Sequence, residues 1–400
     1  MIFNIMGQES SESLSDPKDD AIAAEVSIGT TVYNSSNEPI EGTMPFSDEN
    51  MINSYGEVCN MDLSNGNIPI VSTDNEYKFI SYENNTELIW NYSISPSTYL
   101  NDICYGDDKF VATRGTDTTA ADKFVYYSYD GIHWILNYLT DEFIKPGIIC
   151  YGYKRYVGLY HATSSSIKSG YSDDGINWTA VTLPKNTTWR SVCYGNGIYV
   201  AVAASSGYVM YSTNGKDWTL GSMPNTKSWS SVCYGNGMFV AIATSSAYAA
   251  YSTDGKTWTQ TSMPRSSTWC KVCYGDNMFV AITNTTYAAY STDGKTWTQT
   301  SMPSASYGWG SLCYGKGMYI AIKHATGSSS SPSSDGTTTS TPNVSKVMAY
   351  STDGKTWTSS TLASPDQFKC ACYGDGKFLT VGVAYNKANY ANYCTGLVIK

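Results

Sequence analysis

Histidine and arginine are scarce in this chain. His133, His161 and His324 are its histidines, and Arg114, Arg155, Arg190 and Arg265 its arginines. The histidines fall far apart with no repeated acid beside them, which leaves little for imidazole proton transfer and sets no metal-ligand spacing. No apolar run approaches the roughly 20 residues that a membrane-spanning helix needs. Residues 1–6 are too short and too uncharged for a secretory signal. No segment keeps an apolar period of 3.6 residues, so helices are not expected. Basic patches are lacking too: residues 51–400 hold 24 acids and 24 bases, whereas a nucleic-acid surface is strongly basic.

What charge there is sits at the front. Residues 1–50 carry ten acids, Glu9, Glu12, Asp16, Asp19, Asp20, Glu25, Glu38, Glu41, Asp48 and Glu49, against one base, Lys18. Composition shifts near residue 50 from Ser/Asp/Glu-rich to Tyr/Gly/Trp-rich. The shift predicts an acidic leader over 1–50, containing a β-hairpin that turns at residues 34–37, and a second domain over 51–400.

The second domain is repetitive. A unit of about forty residues, seen most regularly over 229–268, recurs from about Gly56 onward, and such periods mark propellers or solenoids. Its Cys-Tyr-Gly recurs at Cys104, Cys150, Cys193, Cys233, Cys273, Cys313 and Cys372, and a later turn ends at Trp134, Trp178, Trp218, Trp258, Trp297 and Trp357, with a worn copy at Trp90. Within the unit, 230–234 is a small/apolar strand closed by Asn236-Gly237, and 238–243 is continuously apolar. Residues 248–253 and 257–262 flank Asp254-Gly255, a strong hairpin signal because both turn residues must reach positive φ. Met263-Pro264 ends the last strand.

Four short strands per forty residues predict a β-propeller blade. A β-solenoid is the rival, but its repeats are usually shorter and pair between coils. Counting residues 57–62 as a first strand gives eight blades, the preferred number; without it there are seven. Residues 368–400 supply only three strands. A ring ending so leaves an open edge, which a strand from the N-terminal leader would close.

The turn Ser252-Thr253-Asp254-Gly255-Lys256-Thr257-Trp258 resembles the Asp-box of sialidases and other BNR-type propellers, with one residue fewer between acid and glycine. Its acid recurs at Asp130, Asp174, Asp254, Asp293 and Asp353, with Asn214 in one copy. The resemblance implies a structural role for these six residues and no catalysis. The whole unit, from Cys-Tyr-Gly to the turn, resembles repeats of bacteriophage tail and virion-surface proteins. Residues 28–45 resemble a short tail-protein motif, a Gly-Lys-Thr-Ala-Tyr stretch followed by Gly-Thr-Met, here without the lysine. These resemblances imply a virion protein, made in the host cytoplasm.

Eleven cysteines would invite a disulfide or metal reading. Seven, however, occupy the same place in successive units, where inner strands diverge from the axis and Cα atoms cannot all approach within about 7 Å. They are expected to be small buried thiols. A sialidase needs three arginines on a carboxylate, and none of the four here sits in a recognisable entry motif. No catalytic residue, metal ligand or cofactor is therefore assigned, and the chain is not expected to be an enzyme.

Strand parity places the tight Gly-x-Gly and Asp-Gly turns on one face of the ring and the remaining loops on the other. The variable segments, near 114–123, 324–346 and 386–392, all belong to the second face, where recognition is expected. The candidate binding residues are Trp189, Trp229, Trp269, Trp309 and Phe368, each four residues before a unit cysteine, together with Arg114 and His324. Tyr208, Tyr248 and Tyr287 open third strands and suit sugar stacking. The alternative for the tryptophans is packing between blades. Expected partners are other tail subunits and further copies of the chain in the particle, with a host-surface glycan or receptor as ligand. A purely structural virion protein and a glycan hydrolase are the alternatives. Nucleic acid and membrane insertion are not expected.

Overall fold

A computed structural model of the chain describes, side chains included, residues 100–114, 124–139, 146–160, 169–204, 206–304, 308–323, 346–362 and 368–382; elsewhere it describes strands by backbone pairing alone. Contacts divide the chain into two units, Met1–Glu87 with Leu397–Lys400, and Leu88–Gly396.

The repeat forms a four-stranded antiparallel meander. Its inner strand Trp229–Gly235 turns at Asn236 and Gly237, both at positive φ, into the second strand Met238–Ala243. That strand is buried on both faces from Phe239 onward, as its unbroken apolar sequence predicts. Ser246–Ser252 follows as third strand and Thr259–Ser267 as the outer one. Register pairs Cys233 with Val240, Phe239 with Ser252, and Tyr251 with Thr259.

Sheet count corrects the expectation of eight blades, and of seven separate ones. There are six large sheets, five of four strands and one of seven. The seven-stranded sheet arises because Thr358–Gly374 is one continuous strand. Its first half pairs with Ser345–Ser351 as an outer strand, and its second half pairs with Lys377–Val383 as an inner one. Residues 57–62 contribute only Val58–Asn60, which pairs with Asn50–Ile52 in a separate hairpin rather than opening a blade.

The inner strands close a ring. A Cβ added to Gly235 would lie 1.9 Å from Tyr274 Cγ, because the tyrosine of each Cys-Tyr-Gly lies flat on the glycine of the preceding one. The same contact joins Gly106 to Tyr151, Gly152 to Tyr194, Gly195 to Tyr234, Gly275 to Tyr314 and Gly315 to Tyr373. Finally Gly374 meets Tyr105, back at the first inner strand. The glycine is required here by this stacked ring.

Closure of the last sheet also differs from expectation. Its outer strand is Asn91–Ser95, paired antiparallel with Asn389–Cys394. The leader's Val32–Tyr33 and Pro39–Ile40 pair only with each other. In sequence Asn91 follows Trp90, just as outer strands follow the turn tryptophan elsewhere. The worn repeat copy is therefore the missing fourth strand of the final blade, carried at the front of the ring. By contacts, residues 51–87 fall with the first unit, and their strands Asn67–Val71 and Tyr77–Ser81 pair with each other as a two-stranded hairpin.

The core lies between blades. One cluster joins Val200, Val202, Val209 and Met223 of one blade to Trp229, Val232, Phe239 and Ala241 of the next. A buried tryptophan withdraws roughly 150–250 Å² from water, so Trp189, Trp229, Trp269 and Trp309 each give their interface a large anchor.

Candidate functional site

The tight-turn face is built from repeated local chemistry. Ser252 Oγ donates to Asp254 Oδ1 at 2.9 Å and accepts from the Gly255 N–H at 2.8 Å. The same carboxylate oxygen accepts from the N–H groups of Lys256 and Thr257, both at 2.8 Å. Asp130, Asp174, Asp293 and Asp353 repeat the pattern. Asn214 does the same with its amide oxygen, accepting from Lys216 and Asp217 at 2.9 Å. Burial would raise the Asp254 pKa, but the Thr257 and Lys256 N–H bonds and the Ser252 hydroxyl outweigh it and bring it to about 2. Asp174 and Asp293 are held at about 2 the same way. These carboxylates are occupied acceptors.

In the four turns that carry a lysine, it covers a tyrosine of the preceding blade. Lys216 lies over Tyr171, Lys256 over Tyr211, Lys295 over Tyr251 and Lys355 over Tyr290, at 4.7–5.4 Å from the ring centres. A groove of about 610 Å³ on this face is lined by Tyr153, Lys154, Arg155, Asp173 and Asn214. Arg155 bonds Asp173 at 2.5 Å and also the Asn214 carbonyl.

The two faces differ in loop length. Every first-to-second turn, from 107–108 to 375–376, has two residues, and each third-to-fourth turn from 129–134 to 352–357 has six. Second-to-third connections run from two residues at 244–245 to twenty-one at 324–344. The longest contains a hairpin of Ser328–Pro332 with Thr338–Pro342.

The aromatic candidates do not form an open platform. Trp189, Trp229, Trp269, Trp309 and Phe368 are all at most 1% exposed, packed between blades. Their assignment as ligand contacts is corrected, since stacking a sugar on any of them would require opening an interface. Tyr208, Tyr248 and Tyr287 are half-buried, and each ring is covered by a cation of the preceding repeat, Lys185, Lys227 or Arg265, the last at 3.7 Å. Arg114 ends a second strand with its guanidinium over the Phe124 ring at 5.2 Å. His324 lies outside the described residues. The repeated cysteines are free thiols, and burial pushes their pKa values up.

The sequence reading passed over the axial channel. The third place of the inner strand holds Asp102, Ile148, Ser191, Ser231, Lys271, Ser311 and Cys370 around the ring. Asp102 Oδ2 accepts from the Ile149 N–H at 2.9 Å, and Oδ1 from the Cys370 thiol at 2.9 Å. Burial and the Asp102 carboxylate push the Cys370 thiol up to about 12. Burial alone would lower the Lys271 pKa, but Cys370 and Asp102 offset it and hold it above the ordinary value. Lys271 thus feels groups two and three repeats away, across the axis. One place earlier, at the loop-face mouth, stand exposed Arg190 and half-buried Lys369. The departure of these residues from serine at equivalent repeat positions was the available sequence signal.

Fold and site together define an all-β propeller with a fixed face, a variable face and a polar axis. Residues 173–307 match the model of the DUF6242 beta propeller domain. No curated protein matches the chain. Among solved structures it is similar to a virginiamycin B lyase from Staphylococcus aureus, 11% identical over 78% of this chain and 100% of that one, with a TM-score of 0.63. It is likewise similar to a streptogramin B lyase, at 10% identity over 78% and 98% with a TM-score of 0.62. The structure of YCF48 bound to D1 peptide aligns at 14% identity over 77% and 95%, with a TM-score of 0.56. At such identities the likeness concerns the fold.

Proposed function

We propose that the ring is a non-catalytic recognition module of a tail-associated bacteriophage virion protein. In this reading residues 1–50 attach the chain to other tail subunits, and the variable face meets a host-surface glycan or receptor. The observation that carries the recognition role is the asymmetry of loop length. Two- and six-residue turns fix one face, while connections of two to twenty-one residues crowd the other, the usual division between scaffold and binding surface. The turn acids, which would be the natural hydrolytic carboxylates, already accept three hydrogen bonds each in the copies at Asp254 and Asp293. The virion assignment rests on the resemblance of the repeats and of residues 28–45 to tail proteins.

Replacing residues 325–345 by the short 244–247 sequence tests the recognition role. The expected outcome is an unchanged melting temperature with lost binding on a glycan array and on host cells. Unchanged binding would overturn the assignment to this loop. Mass spectrometry of purified particles tests the virion assignment: the full chain should be present, and a chain lacking residues 1–24 should be absent.

A further inference from the structure

Around the axis, the third side chain of one inner strand serves the next. Asp102 accepts from Ile149 N–H, Ser191 from Val232, Ser231 from Val272 and Ser311 from Ala371, at 2.9–3.2 Å. These N–H groups point away from their own sheet, into the channel, and need an acceptor from elsewhere. Two steps of the ring break the pattern. Ile148, before Val192, offers an apolar side chain. Lys271, before Leu312, offers an ammonium group, which can only donate.

At the Lys271 step a cation therefore stands where the equivalent steps supply an acceptor, and the Leu312 N–H receives none from it. Among the described residues the Lys271 ammonium makes no ion pair or hydrogen bond; its electrostatic neighbours are Cys370, Asp102 and Cys270. Asp102, whose oxygens accept from Ile149, Ile103 and Cys370, makes no ion pair with Lys271 and attracts it only at longer range. Lys271 is half-buried, so the channel leaves it open to solvent. Arg190 and Lys369 stand one place earlier in the strand, in other alternate repeats.

We infer that the axial channel binds a small oxyanion, a carboxylate, sulfate or phosphate group, entering from the variable face. The Lys271 ammonium and the Leu312 N–H are its direct donors, and Arg190 and Lys369 draw it in. Charge-assisted bonds from an ammonium and a fixed backbone N–H are the usual components of such sites. The site belongs to the inner strands and does not depend on the loops. The ring with residues 325–345 replaced should therefore bind the anion unchanged, which separates this inference from the recognition role of that loop.

The test titrates the full chain with sodium sulfate, phosphate or acetate at constant ionic strength, following the Leu312 amide by NMR and affinity by calorimetry. Sulfate and phosphate exceeding acetate would assign a tetrahedral anion, and the reverse a carboxylate. Lys271→Ser restores the residue found at 191, 231 and 311 and gives Leu312 an acceptor. It should weaken binding by roughly tenfold or more and abolish the Leu312 shift. Lys271→Met, which keeps the stem without the charge, should weaken binding similarly. Affinity in either variant equal to that of the unsubstituted chain, a Leu312 amide unmoved by bound anion, or binding of none of the three anions would overturn the inference.

Discussion

At the scale of single residues, two repeated positions carry most of the architecture. Asp254 ties its turn through one oxygen, and Asn214 shows that an amide oxygen serves as well. Asp254→Asn should therefore cost a few tenths of a kcal/mol, and Asp254→Ala about 1 kcal/mol by analogy with lost capping acceptors, read from urea melts. Gly235 has no room for a Cβ against Tyr274. Gly235→Ala should cost about 1–3 kcal/mol or more, whereas Gly237→Ala, with open space around it, should show only the strain of its positive φ. Trp309 is fully buried with its indole between blades. Trp309→Ala should cost about 3–5 kcal/mol, and a melting temperature unchanged by it would show that the indole does not pack there.

At the scale of elements, the informative strand is Asn91–Ser95. It completes the sheet that starts with the second half of Thr358–Gly374, so the two ends of the ring are held by backbone hydrogen bonds between distant segments. Removing residues 1–87 spares every strand of that sheet. Removing residues 1–96 exposes the edge of Asn389–Cys394, and exposed edges aggregate. The shorter truncation should remain monodisperse by size-exclusion chromatography with a melting temperature near that of the intact ring. The longer one should aggregate or melt lower. Equal behaviour of the two would mean that closure lies elsewhere.

At the scale of the whole molecule, repetition multiplies small local effects. Asp174, Asp254 and Asp293 have folded-state pKa values of about 2, and Asp130 and Asp353 are lowered as well. Unfolded aspartate titrates near 3.9. A depressed folded pKa adds stability that is complete above the unfolded value and is lost as pH falls toward the folded one. The melting temperature should thus be level from pH 5 to 8 and fall between about pH 4 and 2, steeply because five turns titrate together. The Asn214 turn takes no part. The free cysteines, half-buried or buried and with raised pKa values, should resist alkylation in the native ring and react once it is unfolded in urea.

The repeat, its four strands, the places of both turns, the division into two faces and the thiol ring were legible in the sequence, because each rests on local chemistry; the Asp-Gly turn, expected as a tight hairpin with both residues at positive φ, spans six residues with only the glycine there. Alternation, Asp-Gly turns and strand parity act within a dozen residues and read the same in every copy. The number of sheets and the closing strand were not. Whether the segment after Trp90 pairs forward or with residues 389–394 depends on contacts between segments some three hundred positions apart. The tryptophans could be read as platform or core until neighbouring blades enclosed them. The axial group of Asp102, Lys271 and Cys370 is the extreme case. It takes one residue from each of three repeats, and only closure of the ring brings them to a common axis.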